Sequence, residues 1–415
     1  MKCPPRWLIL AAVLLGLVGG WQSWRNRHPF AFATGTPLGD GKVRPQLLTD
    51  GGSAVLLAPD GSLWGWGTDS CFPEGRVERP VRLGADADWV AIAGSLNFLL
   101  ARKANGTLWT RGEVFYDQQA GLNVSQFHLT QVGQDTDWAA IAVTGMGGGF
   151  AMKESGAVWA WGRFHNDSGF DPVPRECGFE PDGVRITGDI VTRYVLRSDG
   201  TIWSRSPRQS PTGAIRLVLA QLGTDRDWAH TSSGGLGVRA IKRDGSLWQG
   251  GADASFNAVA EGQPAGPGKM VRIGTESDWS EVHDGGLCFY ARRRDGSWWV
   301  SGENLAGRLG FSPHGRRWYF ADPEKLPFTF DPWAFATGGK STVLFARDGS
   351  VWSWGARLGV APPSAGGIKF QKSFNDWSGR LPWRPKPFAD PDAVWSHRPS
   401  KLWQWKPAEQ MDPAR

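Results

Sequence analysis

The chain has little cysteine, methionine or tyrosine for its 415 residues: four, five and four respectively. Cys3, Cys71, Cys177 and Cys288 include no CxxC and no pair at zinc-ligand spacing. That excludes a zinc ribbon and argues against a disulfide framework, which a chain of this length does not need. Cys3 precedes a hydrophobic run, so three cysteines at most lie in the folded part. They read as isolated small hydrophobes, with one bridge among the three left open. No apolar stripe of period 3.6 occurs beyond the N-terminus, which excludes a helical repeat. No GxSxG elbow and no HExxH helix occurs, so two common hydrolase signatures are missing. The formal charge is only +6, with basic and acidic residues intermixed. That balance does not make a dedicated nucleic-acid face.

What is present is glycine (56) and tryptophan (25), arranged in a repeat. Asp348-Gly349-Ser350-Val351-Trp352 reads as a hairpin turn feeding a strand. Asp-Gly suits a two-residue turn, and β-branched and aromatic residues suit a pleated surface. The same pattern ends at Trp64, Trp109, Trp159, Trp203, Trp248 and Trp299, at steps of 44 to 53 residues. An eighth, worn copy, Ala393 to Trp403, has lost its Asp-Gly.

A second motif, an acidic residue followed by Asp-Trp, precedes most turns. It occurs at Asp86/Asp88-Trp89, Asp135/Asp137-Trp138, Asp225/Asp227-Trp228 and Glu276/Asp278-Trp279, with variants at Trp333 and Trp377. The fourth unit lacks it and reads Arg185-Ile186-Thr187-Gly188. Parsed from Glu78 to Gly112, one unit holds four short strands: Arg79–Leu83, Trp89–Ala93, Asn97–Arg102 and Thr107–Arg111. A long loop follows, to about Phe127. Four strands per repeat with one variable connection is the pattern of a propeller blade. The fold expected is all-β: a propeller of four-stranded blades, seven favoured and eight the alternative, preceded by one N-terminal hydrophobic helix. The segments expected are 1–24 as signal or anchor, 25–40 as linker, 41–406 as propeller and 407–415 as tail.

These repeats resemble those of the regulator of chromosome condensation family. The match is close at Leu63-Trp64-Gly65-Trp66-Gly67, Val158-Trp159-Ala160-Trp161-Gly162 and Val351-Trp352-Ser353-Trp354-Gly355. The family's Asn and Gly-x-Leu-Gly tail survives at Asn304 to Gly310 and partly at Arg357-Leu358-Gly359. The resemblance covers about residues 40 to 405 and implies a β-propeller, typically seven-bladed. The founding member is a nucleotide-exchange factor for a small nuclear GTPase. No motif for that activity can be placed here, and other members resemble scaffolds or secreted binding proteins.

Lys2 and Arg6 precede the uncharged run Trp7 to Gly20. Its length suits the apolar core of an export signal, and Trp21 to Trp24 would extend it to a marginal membrane span. The segment reads as an anchor or a cleaved signal, with the propeller membrane-anchored outside the cytoplasm or secreted.

Candidate chemistry is sparse. The paired acids do not continue as a calcium loop does and read as turn caps making Asx hydrogen bonds. Eighteen of the tryptophans sit at repeat positions and read as packing. Trp318, Trp383 and Trp395 fall outside the register and are the candidates for a binding surface. Gly339-Lys340-Ser341 lacks the earlier glycine of a phosphate loop, and Gly145-Met146-Gly147-Gly148-Gly149 joins two strands. His165 with Asp167 and His283 with Asp284 are nearby pairs without an assignable nucleophile. Arg292-Arg293-Arg294 reads as a solvated strand end. No catalytic, cofactor or metal residues are assigned, and no cofactor is expected. The function expected is a non-catalytic, monomeric interaction scaffold for an unidentified protein partner, not nucleic acid. It would act through the insertions Glu113–Phe127, Arg163–Pro181, Ala252–Lys269, Phe311–Pro327 and Ala361–Gln371. The alternatives are a hydrolase on the propeller face and a carbohydrate-binding module.

Overall fold

The computed structural model describes residues 36–407 except 51, 68–76, 96–97, 118–121, 146–147, 164–169, 190–191, 210–214, 236, 251–269, 313–318, 357 and 359–394. The expected N-terminal helix lies outside the described residues. Among the described residues, no helix is long and apolar enough to cross a membrane.

The strands form seven antiparallel four-stranded sheets, each from four consecutive strands. Blade 1 is Gln46–Thr49, Ser53–Leu57, Leu63–Gly67 and Val77–Arg82; blade 2 is Trp89–Ser95, Phe98–Lys103, Leu108–Asp117 and Leu122–Val132. Blade 3 is Trp138–Thr144, Gly148–Lys153, Val158–Arg163 and Phe170–Glu176; blade 4 is Gly183–Gly188, Arg193–Arg197, Ile202–Gln209 and Ile215–Gln221. Blade 5 is Trp228–Ser232, Val238–Lys242, Leu247–Gly250 and Val271–Ile273; blade 6 is Trp279–Asp284, Cys288–Arg293, Trp298–Glu303 and Tyr319–Lys325. Blade 7 is Pro332–Gly338, Ser341–Ala346, Ser350–Ala356 and Trp395–Gln404.

Three expectations change. The blade begins at the Asp-Trp strand, not one strand earlier: Arg79–Leu83 belongs to the outer edge of blade 1. The stretch expected as a loop from Gly112 to Phe127 is largely strand, because blade 2 extends its outer hairpin to Asp117 and resumes at Leu122. The eighth copy is not a blade. Without Asp-Gly the chain has no turn to make, so Trp395 to Gln404 runs as one bulged strand along the edge of blade 7.

The Asp-Gly turn itself is a three-residue loop rather than a two-residue one. Ala58 N donates to Ser62 O and Gly61 N donates to Ala58 O, with Gly61 at φ +83°. This is a turn closed by a left-handed glycine, a conformation that a side chain would strain. Asp60 Oδ1 accepts from the Ser62 amide and hydroxyl, and Ser62 Oγ accepts from Trp64 Nε1 at 2.9 Å. The same Asp (or Asn), hydroxyl and Trp relay recurs at Trp109, Trp203, Trp248 and Trp352. The hydrogen bonds from Thr201 and Ser246 hold the carboxyls of Asp199 and Asp244 below their ordinary range.

Blade 3 breaks the relay: Ala157 stands where the hydroxyl should be, and the buried Trp159 Nε1 has no partner. Restoring it with Ala157→Ser is expected to stabilise the fold by about 1 kcal/mol, a typical net hydrogen bond. Urea unfolding of the two proteins measures this. An unchanged or lower midpoint would show that the orphaned indole costs nothing there.

Two motifs that are separate in sequence form one clasp between blades. The carbonyls of Gly61, Gly106, Gly200 and Gly245 accept the amides of Trp89, Trp138, Trp228 and Trp279, each the first residue of the next inner strand. At the ring's end Gly349 O accepts the amide of Trp405 instead. Trp405 packs with Leu47, Ala54 and Trp66 of blade 1, and Trp403 lies 4.9 Å from Trp64. Leu38 N donates to Arg347 O and joins the same cluster. Among the described residues the ring therefore closes by packing and single backbone hydrogen bonds from the segments that flank the first and last blades, with no strand exchanged between those blades.

Candidate functional surfaces

The acid pairs are not Asx caps. Each grips a cation at the end of its blade's second strand. Lys103 Nζ lies 2.9 Å from Asp86 and 3.2 Å from Asp88, and stands 4.8 and 4.9 Å from the rings of Trp89 and Trp109. Lys153 with Asp135 and Asp137, Lys242 with Asp225 and Asp227, and Arg293 with Glu276 and Asp278 repeat it. Desolvation works against the charge of Lys103, but hydrogen bonds and attraction from the two aspartates outweigh it and raise its pKa. Arg293, expected as a solvated strand end, is thus half-buried between Trp279 and Trp299. Blade 4 keeps a reduced version, Asp182 with Arg197 over Trp203. The sequence signal was present and missed: a basic residue stands two positions before the turn Asn, Ser or Asp at 103, 153, 197, 242 and 293.

Strand order sorts the connections by face. In each blade the second-to-third turn and the link to the next blade lie at one end. The first-to-second turn and the third-to-fourth connection lie at the other. Each of the five long insertions includes a third-to-fourth connection, so the strand ends at those connections share one face. Blade 6 adds exposed apolar groups there: Leu287 (51% exposed), Leu305 (42%) and Tyr319 (49%). Glu303 links them: its amide donates to Leu287 O, it pairs with Tyr319, and Leu305 follows two residues later. The segment from Asn304 to Phe311 builds this corner. Asn304 Nδ2 donates to Phe311 O and its Oδ1 accepts from Leu309 N. Arg308, 1% exposed, donates to the carbonyls of Glu303 and Gly339.

The remaining sequence candidates separate. His283 and Asp284 point to opposite sides of their strand, as period two requires. His283 Nε2 donates to Glu281 at 2.7 Å and packs on Trp298 and Phe335. Asp284, fully buried, pairs with Arg239 of blade 5. Gly339 to Ser341 forms the hairpin of blade 7, with Gly339 O spent on Arg308. In the glycine-rich run of blade 3, a Cβ on Gly149 would collide with the Trp161 ring. That run is shaped for packing. Cys177 and Cys288 are free and buried; burial pushes the Cys177 thiol up to about 11, far from a reactive thiolate. Trp318, Trp383, His165 and Asp167 lie outside the described residues, and Trp395 begins the outer strand of blade 7.

Polar residues gather at one level of the inner strands. Register puts Gln46, Ala91, Ala140, Arg185, His230, Glu281 and Ala334 at one height, each paired four residues before its blade's turn glycine. Gln46 bridges blades 1 and 2 through Val90 O and Ile92 N. The charged positions fall together in blades 4 to 6. Burial, then the charges of Arg185 and His283, push His230 down to about 3. The bond from His283 keeps Glu281 below its ordinary range. Among the described residues, no serine, threonine or cysteine hydrogen-bonds either histidine, so no activated nucleophile is assembled. No group of three or more metal-ligating side chains occurs among them either.

No protein-family model matches the sequence, and no curated protein matches it. Solved structures do match in fold. Human WBSCR16 aligns at 16% identity over 71% of this chain and 84% of its own, with a TM-score of 0.57. Prp20p from Saccharomyces cerevisiae aligns at 15% identity over 68% and 76%, with a TM-score of 0.53. At such identities the likeness speaks to architecture alone, and it agrees with the strand pairing: the chain folds as a seven-bladed β-propeller similar in architecture to these proteins.

Proposed function

We propose that this propeller is a non-catalytic scaffold that captures a protein partner on its long-loop face, with blade 6 as the anchor. The observation that carries the reading is the exposed trio of Leu287, Leu305 and Tyr319 on the face that receives every long insertion. Apolar side chains grouped on a rigid platform and flanked by variable connections are what an interface core requires. The opposite face is occupied by turns, clasps and cation boxes that the fold itself needs. A propeller of the same fold, Prp20p, binds Gsp1p and histones, which supports a protein as the kind of partner. We further propose that residues 1–24 hold the chain at a membrane, with the propeller outside the cytoplasm, or direct its secretion. The support is the basic residues and apolar run at 2–20.

Leu287→Asp with Leu305→Asp is expected to weaken partner capture by 10-fold or more, about the effect of removing one interface hot spot. The measurement is quantitative affinity capture from the native envelope, with circular dichroism confirming the fold. Val81→Asp and Leu219→Asp, on outer blade edges, serve as controls. Equal losses from both pairs would remove blade 6 from the interface. Mass spectrometry of the mature N-terminus, with membrane fractionation, tests the anchor. A chain that remains wholly cytoplasmic would overturn it.

A further inference from the structure

We propose that the boundary between blades 3 and 4 is an opening seam: it separates locally while the other boundaries hold, and gives the propeller a second, split-ring conformation. The fourth copy of the acidic motif reads Glu180-Pro181-Asp182-Gly183. Register identifies it, because Gly183 pairs with Arg197 as Trp89 pairs with Lys103. A glycine therefore stands where blades 2, 3, 5 and 6 bury Trp89, Trp138, Trp228 and Trp279. Each of those indoles packs edge-on against the turn Trp of its own blade at 5.9 to 6.1 Å. The loss is built into the blade. The second strands of those four blades carry Ala101, Ala151, Ala240 and Ala291 at one register position, and blade 4 carries the larger Val195 there. A Cβ on Gly183 would meet Val195 Cγ1 at 3.1 Å and Met152 Sδ at 3.0 Å. Phe179 fills part of the space, with its ring 6.1 Å from that of Phe150.

Three further features weaken the same boundary. The clasp is missing: among the described residues no hydrogen bond joins Gly156 O to the amide of Gly183, and the Asp182 amide donates to Glu180 O. Pro332 of blade 7 likewise has no amide to give, but there Thr342 Oγ1 donates to Arg308 O and Trp354 Nε1 donates to Tyr290 Oη, and both bonds cross to blade 6. Cys177 replaces the leucine that follows the fourth strand at Leu83, Leu222 and Leu326, so less apolar surface is buried. Arg193 and Arg205, paired on neighbouring strands of blade 4, carry charge into the boundary. Arg193 is fully buried against Gly148 of blade 3, and burial pushes its pKa down to about 10. Arg205 Nη1 is buried without a partner among the described residues. Buried like charges favour a state that water can enter. At the long-loop end the Gly145 amide still donates to Asp189 O at 2.9 Å, which makes that end the hinge. A region with fewer such ties opens by itself, well below the free energy of global unfolding.

Cys177 reports the opening. Its thiol lies in the seam, donating to Val158 O, and Cys288 is buried between blades 6 and 7. The measurement is thiol–disulfide exchange of the native full chain with dithiobis(nitrobenzoate), resolved for each cysteine by peptide mass spectrometry. The cysteine thiolate attacks one sulfur of the probe, a mixed disulfide forms, the nitrothiobenzoate leaves, and the thiol proton passes to solvent. Cys177 is expected to react at least ~10-fold faster than Cys288, at a rate that changes little in dilute urea, because a local opening exposes little surface. Leu83→Cys places a thiol at the matching position of the boundary between blades 1 and 2, where Trp89 and its clasp are present. That thiol is expected to be protected as Cys288 is. The comparison with Cys288 needs no variant and stands even if Leu83→Cys fails to fold. Equal rates at Cys177 and Cys288 with the same urea dependence would overturn the proposal, because the ring would then open as one unit. A position-83 thiol as reactive as Cys177 would overturn it too, because the opening would not be confined to the seam.

Discussion

Replacing Trp89 by alanine is expected to lower the stability of the propeller by about 4 kcal/mol, in the range measured for large buried aromatics. Trp89 is fully buried. Its ring packs edge-on against Trp109 at 5.9 Å and fills the boundary between blades 1 and 2 with Leu57, Leu63 and Leu83. Its amide is the donor that clasps blade 1 through Gly61 O. Lys103→Met removes the charged half of the same box and should cost far less, about 1 kcal/mol. The reason is that Asp86 and Asp88 are half-exposed and such pairs are screened. The comparison decides which part of the box holds the blade: the indole pair carries the energy, and the cation selects its geometry. Denaturant unfolding of both variants provides the test. Equal losses would show that the charges matter as much as the packing.

Asp284→Ala is the second large effect, expected at about 3–5 kcal/mol because it strands a buried charge. Asp284 is fully buried, and its partner Arg239 is 13% exposed. Asp284 Oδ1 also accepts from Gly286 N, and Ser232 Oγ accepts from Asp284 N, so blades 5 and 6 are tied at this corner. Burial raises the carboxyl's pKa even against the attraction of Arg239. The pair is therefore expensive to bury and more expensive to break. Arg239→Met combined with Asp284→Leu should recover most of the loss, since apolar replacement of a whole buried pair is often near neutral. A double-mutant cycle by urea unfolding measures this. If Asp284→Ala alone proved within 1 kcal/mol of the unmodified chain, water would have to reach Arg239 freely.

How much of this was legible in sequence depends on how local the signal is. The turn glycines at 61, 106, 156, 200, 245, 296 and 349 all adopt φ near +80°, and each was visible because its neighbours in sequence are its neighbours in space. The phase of the blade was not visible. A repeat can be cut anywhere, and only strand pairing shows that Trp89 opens a sheet that Val132 closes. The meaning of the acid pairs was misread for the same reason. The short spacing of Asp86 and Asp88 suggests a local cap, but their partner Lys103 arrives from the next strand. The eighth copy misled because its final Trp survives; its missing Asp-Gly was the informative part.

The sequence alone determined the period, the strand chemistry and the propeller, because the pattern of turn glycines and strand residues is repeated often enough to exclude other architectures. It also showed that long insertions occur, but not where they gather. The tertiary structure decided what depends on closure. Seven blades rather than eight follow from Trp405 taking the last clasp. The long insertions share a face because alternate connections of a four-stranded blade emerge at the same end. Arg185, His230 and Glu281 are far apart in the chain yet stand at one level of adjacent blades, and Leu287 and Tyr319 are separated by a whole hairpin. Only the closed ring and the folded blade bring such residues together, since a sequence records neighbours along one dimension and a channel is made by neighbours around a circle.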